Sequence, residues 1–168
     1  GCISGSDPGR TGAIAVRFHG NRKVYKMPGD ISRVNELLTY YKGISDSMLV
    51  VLEQIRLHRT EDVAIAAQMQ KLYGHYKELK TLLVVNNIPF SEAMPTTWQS
   101  YLNLNSKAIK KLARDQRKKA YRDFAQKRWP EKLSIAVGDS VCLLIYGERN
   151  LQFNPDFVIE NNESEKLM

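Results

Sequence analysis

Cysteine is nearly absent: Cys2 and Cys142 are the only two in 168 residues. They lie too far apart for a disulfide framework or a zinc knuckle, and each sits in an apolar stretch, which points to a reducing compartment. Histidine is just as sparse, and His19, His58 and His75 have no ligand-like spacing. A bound metal is therefore expected to be held by oxygens. No apolar run approaches the roughly 18 residues of a membrane span, so no membrane association is expected. No Gly/Ser/Pro-rich linker divides the chain, which predicts one domain over residues 1–150 and a polar C-terminal tail over 151–168, loose from Asn154 onward. The start lacks a basic stretch followed by an apolar one, and Gly1 reads as a cloning or processing remnant. Nothing directs secretion, and a cytoplasmic location is expected.

What is present is an ordinary globular composition, 43% hydrophobic and 26% charged, with a net charge of +7. The excess of positive charge favours an acidic partner. It is concentrated: Lys107 to Lys132 holds eleven Lys/Arg against the three acids Asp115, Asp123 and Glu131. Such a segment either neutralises phosphates or forms a solvated helix face.

Hydrophobic periodicity predicts strands at Cys2–Asp7, Thr11–Phe18 and Lys23–Met27, joined as a meander. Asp30 is suited to cap a helix to about Tyr41, with Val34, Leu37 and Leu38 inward, and Ser47–Glu53 reads as a buried strand. Thr60 is expected to cap a long helix to about Val85, whose apolar positions include Val63, Ala66, Ala67, Leu72, Leu79, Leu82 and Leu83. A short strand near Phe90–Met94 leads through Pro95 into a helical turn carrying Trp98 and Tyr101, then into a basic helix spanning Ser106–Trp129. The last helix spans Val137 to about Glu148. This order predicts an α/β fold: a mixed five-stranded sheet flanked by helices.

Three acids stand at the ends of apolar elements. Asp7 closes the first strand and is followed by Pro8-Gly9, so its carboxylate is left at the sheet edge; an Asp in this position also serves as an ordinary turn initiator. Glu53 ends the run Met48–Leu52, where an acid is costly unless paired with a cation. Asp139 opens the last helix, where it also suits the helix dipole. In a ribonuclease H-like topology the first and fourth strands are neighbours and the last helix crosses them. Asp7, Glu53 and Asp139 then make an oxygen-only cage for Mg²⁺ or Mn²⁺, and two such ions suit in-line phosphodiester hydrolysis.

The residues match a known pattern. Gly5-Ser6-Asp7-Pro8-Gly9 with Gly12-Ala13, Leu52-Glu53-Gln54, Tyr73-Gly74, Pro95-x-x-Trp98, and Asp139-Ser140-Val141-Cys142-Leu143-Leu144 with Tyr146-Gly147 resemble, in order, the blocks of RuvC-type Holliday junction resolvases of the ribonuclease H-like superfamily, phage and organellar members above all. The resemblance spans residues 3–149. It implies a Mg²⁺-dependent homodimer that binds four-way or branched DNA and nicks two opposing strands, with Asp7, Glu53 and Asp139 as catalytic metal ligands. It places the protein in phage-infected or bacterial cytoplasm, or in an organelle.

Two departures stand out. Relatives carry a fourth ligand three or four residues before the helix Asp, where this chain has Ala136 and Ile135. Ala136 is either an engineered substitution or a natural loss, and three carboxylates leave catalysis weakened. Gln99 follows Trp98 where relatives often have Lys, so another cation is needed; Lys107, Lys110, Lys111, Arg114, Arg117, Lys118 and Lys119 are the candidates for DNA phosphates. Trp98 and Tyr101 are suited to stack at a junction or to fill the core. A non-catalytic junction-binding module and a nuclease for RNA–DNA hybrids or other branched DNA are the competing readings, with a purely structural protein last.

Overall fold

In the computed structural model, which describes residues 1–151 and 153, β1 (Cys2–Asp7) is the centre of a five-stranded sheet. The order is β3-β2-β1-β4-β5, with β2 at Ala13–Phe18, β3 at Asn21–Lys26, β4 at Met48–Glu53 and β5 at Phe90–Ala93. The hairpin pairs β1–β2 and β2–β3 are antiparallel, whereas β1–β4 and β4–β5 are parallel. The expected mixed α/β sheet is thus present, with β2 and β3 starting two residues from their predicted positions.

Alternate residues of the strands feed two separate cores, as a period of two requires. Ile3, Ala13, Ala15 and Val51 point to one face, while Cys2, Ile14, Val16, Val50 and Leu52 point to the other. On the second face lie α1 (Ile31–Ile44) and α2 (Val63–Val85). Asp30 caps α1 as predicted, accepting from the Ser32 amide at 3.0 Å. The cap of α2 is Asp62 rather than Thr60: its carboxylate accepts from the Ile65 amide at 3.0 Å, and the Thr60 hydroxyl in turn accepts from the Asp62 amide.

The apolar stripe of α2 is core only in its second half, at Tyr76, Leu79 and Leu83. A 23-residue helix is about 35 Å long and a six-residue strand about 20 Å, so the helix overhangs the sheet. Val63 at the overhanging end is 83% exposed and Ile65 49%.

On the first face lie α3 (Pro95–Tyr101), α5 (Arg114–Gln126) and α6 (Gly138–Asn150). The basic segment is not the single helix expected. A short helix α4 (Lys107–Lys110), capped by the Ser106 hydroxyl, ends at Lys111, and the extended backbone of Ala113 redirects the chain into α5. The bend lets Tyr121 and Ala125 pack in the same core as α6. A 3-10 turn over Ile135–Val137 leads directly into α6, which is buried from Gly138 to Gly147.

Two glycines set the position of α6. A Cβ on Gly5 would meet the Ser140 carbonyl oxygen at 2.1 Å, and one on Gly138 would meet the Arg122 Cα at 2.9 Å. Only Gly allows β1 and α5 to approach α6 this closely. No helix among the described residues is long and apolar enough to cross a membrane. The tail expected from Asn154 lies outside the described residues.

Candidate metal centre

The parallel pairing of β1 with β4 sets Ser6 beside Leu52, so Asp7 and Glu53 leave the sheet at the same edge. The first turn of α6 brings Asp139 to that edge. One carboxylate oxygen from each of the three residues lies within 4.8 Å of the other two. All three predicted ligands are therefore together, supplied by two strand ends and one helix start.

Each is held differently. Asp7 is followed by a turn in which Gly9, at φ +106°, donates its amide to His75 Nδ1 on α2 at 2.8 Å. Glu53 is 7% exposed, and its Oε2 accepts from the Trp98 indole Nε1 on α3 at 2.9 Å. Asp139 is 5% exposed, and its Oδ2 accepts from the Lys118 ammonium on α5. Asp139 Oδ1 is buried and has no partner.

The electrostatics are those of crowded acids. Burial pushes the Asp7 carboxyl well above its usual range, and the charges of Glu53 and Asp139 add to the effect. Burial, then Asp139, raises Glu53 to about 7, against the opposing hydrogen bond from Trp98. Lys118 moves the other way in charge: burial disfavours its ammonium, but the three carboxylates outweigh this and hold its pKa above the ordinary lysine value. Burial lowers the His75 pKa, consistent with a neutral imidazole whose Nδ1 accepts from Gly9.

These residues fit a hard divalent cation. The donor set is oxygen-only, mutual repulsion of the carboxylates would be relieved by positive charge, and the orphaned Asp139 Oδ1 is a ligand atom without another use. A cleft of ≈ 210 Å³ adjoins the cage, lined by Glu53, Pro95, Gln99, Arg114, Arg117, Lys118, Tyr121 and Asp139. Of the predicted phosphate-binding residues, Arg114, Arg117 and Lys118 are thus at the cleft, while Lys107, Lys110, Lys111 and Lys119 are exposed outside it. Ala136 is exposed in the 3-10 turn and has no ligand atom.

Trp98 is fully buried, packs edge-on against Tyr121 at 5.2 Å between ring centroids and is engaged by Glu53, so it belongs to the core and not to a stacking surface. Tyr101 is 44% exposed. The roles of Trp98 toward Glu53, of Lys118 toward Asp139 and of His75 toward the Asp7 turn were not visible in the sequence. The nearest signal was Pro95 at the start of α3, which places Trp98 one helical turn beyond the strand that pairs with the end of β4.

No protein-family model matches the sequence, and no curated protein does. Among solved structures, the chain is similar to T. thermophilus RuvC in complex with Holliday junction substrate, with a TM-score of 0.58 and 13% identity over 90% of this chain and 96% of that one. It is similar also to a Thermus thermophilus RuvC structure, with a TM-score of 0.55 and 14% identity over 89% and 97%. The fold is accordingly the ribonuclease H-like one anticipated from the sequence.

Proposed function

We propose that this chain is a metal-dependent endonuclease that resolves four-way DNA junctions by paired nicks. The observation that carries this reading is the convergence of Asp7, Glu53 and Asp139, with an unpartnered buried Asp139 oxygen, beside a cleft lined with Arg114, Arg117 and Lys118. The fold shared with a protein solved on a Holliday junction supports the choice of substrate. Mg²⁺, with Mn²⁺ as a substitute, is the ion such oxygens select, and when bound it supplies Lewis-acid polarisation of the phosphodiester.

The chain's own residues do the rest. Trp98 fixes the rotamer of Glu53 by holding Oε2, so the carboxylate would meet an ion in one set orientation. Lys118 fixes Asp139 in the same way through Oδ2. Arg114 and Arg117, on the first turns of α5, supply forked donors for the phosphate oxygens of a strand lying in the cleft. The exposed Lys107, Lys110, Lys111 and Lys119 extend positive charge beyond the cleft along neighbouring phosphates. A homodimer matches the two-fold symmetry of a four-way junction, and the exposed Val63 and Ile65 at the overhanging end of α2 supply an apolar surface for it.

The missing ligand at Ala136 favours one second reading, a junction-binding module without turnover. A cleavage assay separates the two: a synthetic four-way junction, with linear duplex and an RNA–DNA hybrid as controls, in Mg²⁺ or Mn²⁺. The wild type should give paired nicks near the crossover, Ala136→Asp should cut at least as fast, and Asp7→Asn should bind the junction as tightly without cutting. Cutting by Asp7→Asn at the wild-type rate would remove Asp7 from the site. Tight junction binding with no cutting by either the wild type or Ala136→Asp would establish the binding module instead, and preferential cutting of the hybrid would reassign the substrate.

A further inference from the structure

The resemblance to two-ion nucleases leads one to expect two metal ions, but the charges and oxygens of this site balance for one. With its three acids ionised, as a bound cation would require, the cage and the Lys118 ammonium paired to Asp139 carry a charge of −2, that of a single divalent cation. The oxygens give the same answer. Trp98 holds Glu53 Oε2 and Lys118 holds Asp139 Oδ2, so among the described residues the cage oxygens that accept no hydrogen bond from the protein are the two of Asp7, Glu53 Oε1 and Asp139 Oδ1. One ion that takes an oxygen from each residue leaves a single oxygen of this kind, and Ala136, in the turn before Asp139, adds no ligand atom. A lone carboxylate oxygen is a poor site for a hard cation that has to give up its water to bind.

We propose that the centre holds one divalent ion, and that the Lys118 ammonium, paired to Asp139 and facing the cleft, takes the electrostatic place of a second. This rests on the metal-nuclease reading above. Lys118 has the required position: its side chain is 33% exposed against 7% for that of Asp139, so the ammonium bridges the buried acid and the open cleft. Arg114 and Arg117 line the same cleft from the same helix, so a phosphodiester lying there would meet a fixed positive charge. Unlike a second metal, that charge needs no recruitment from solution.

The test is a Mn²⁺ titration of the full chain followed by electron paramagnetic resonance and calorimetry. Wild type should bind one Mn²⁺ per chain, with the six-line spectrum of an isolated ion at saturation. Lys118→Met should bind its first Mn²⁺ about tenfold tighter or more, because a unit charge about 5 Å from a divalent ion costs that much even at the dielectric of water. Lys118→Arg, which keeps the charge, should retain the wild-type affinity, and circular dichroism establishes that both variants are folded. Two spin-coupled Mn²⁺ per wild-type chain would overturn the proposal and leave the nuclease reading standing. An unchanged affinity in Lys118→Met would also overturn it. No Mn²⁺ bound to the wild type would overturn both.

Discussion

Glu53 shows how burial and neighbouring charge act on a single residue of the cage. Its folded pKa, about 7, lies above the ordinary carboxylate value because burial and Asp139 disfavour its charge. The sign of the stability effect follows: the stabilising contribution is complete below the unfolded value of about 4.3 and is lost as pH rises through about 7. Asp7 acts in the same direction. His75 opposes them, since burial depresses its pKa and its contribution is present above about 6.5 and lost as pH falls through the folded value. In the presence of a chelator, the melting temperature of the wild type should therefore fall between pH 5 and pH 8 less steeply than that of His75→Gln and more steeply than that of Glu53→Gln. Scanning calorimetry at three pH values measures this, and an identical slope in Glu53→Gln and wild type would mean that Glu53 is already charged in the fold. The residue's position was legible as an acid ending an apolar strand. Its hydrogen bond to Trp98 was not, because the two are 45 residues apart and only the parallel β4–β5 pairing brings them together.

Among the elements, the basic segment is divided at the bend after Lys111. The short helix α4 and its C-cap carry Lys107, Lys110 and Lys111 in solvent, while α5 turns Arg114, Arg117 and Lys118 to the cleft. Reversing Lys107, Lys110 and Lys111 together to Glu should weaken junction binding and flatten the slope of log K against log salt by roughly 2–3, the value for losing three phosphate contacts. Filter binding across a salt series is the measurement, and an unaltered slope would return α4 to the status of a solvated surface. The sequence showed this concentration of charge but not its division, since no Pro or Gly marks the break and the bend is imposed by packing of Tyr121 and Ala125 against α6. The same limit explains α2. Its apolar period is genuine throughout, yet periodicity cannot say where the sheet beneath a helix stops, and the first turns of the stripe cover nothing in this chain. Its start was misplaced by two residues because Thr60 and Asp62 are both good caps, and the hydroxyl of the first supports the second.

At the scale of the whole molecule, the turn that follows Asp7 is tied to the middle of α2 by the hydrogen bond from Gly9 to His75, and the exposed end of that helix lies about three turns away. If two copies pair through the overhang, Val63→Asp combined with Ile65→Asp should convert a dimer to a monomer by sedimentation equilibrium. The fold should survive, since the two side chains are 83% and 49% exposed. A wild type that sediments as a monomer at all concentrations would exclude this surface as an interface. The overall architecture was the most legible part of the chain, because strand ends bearing acids, a Pro-Gly turn and a buried last helix are local signals. The ties that orient the cage, Lys118 to Asp139 and His75 to Gly9, are made by packing and leave no trace in spacing. The close backbone contacts at Gly5 and Gly138 have a consequence for timing. They set α6 between β1 and α5 by packing alone, so the three ligands are gathered by the fold itself. If the cage takes Mg²⁺ as proposed, its entry is then paced by how quickly the ion sheds its own water, not by a rearrangement of the protein.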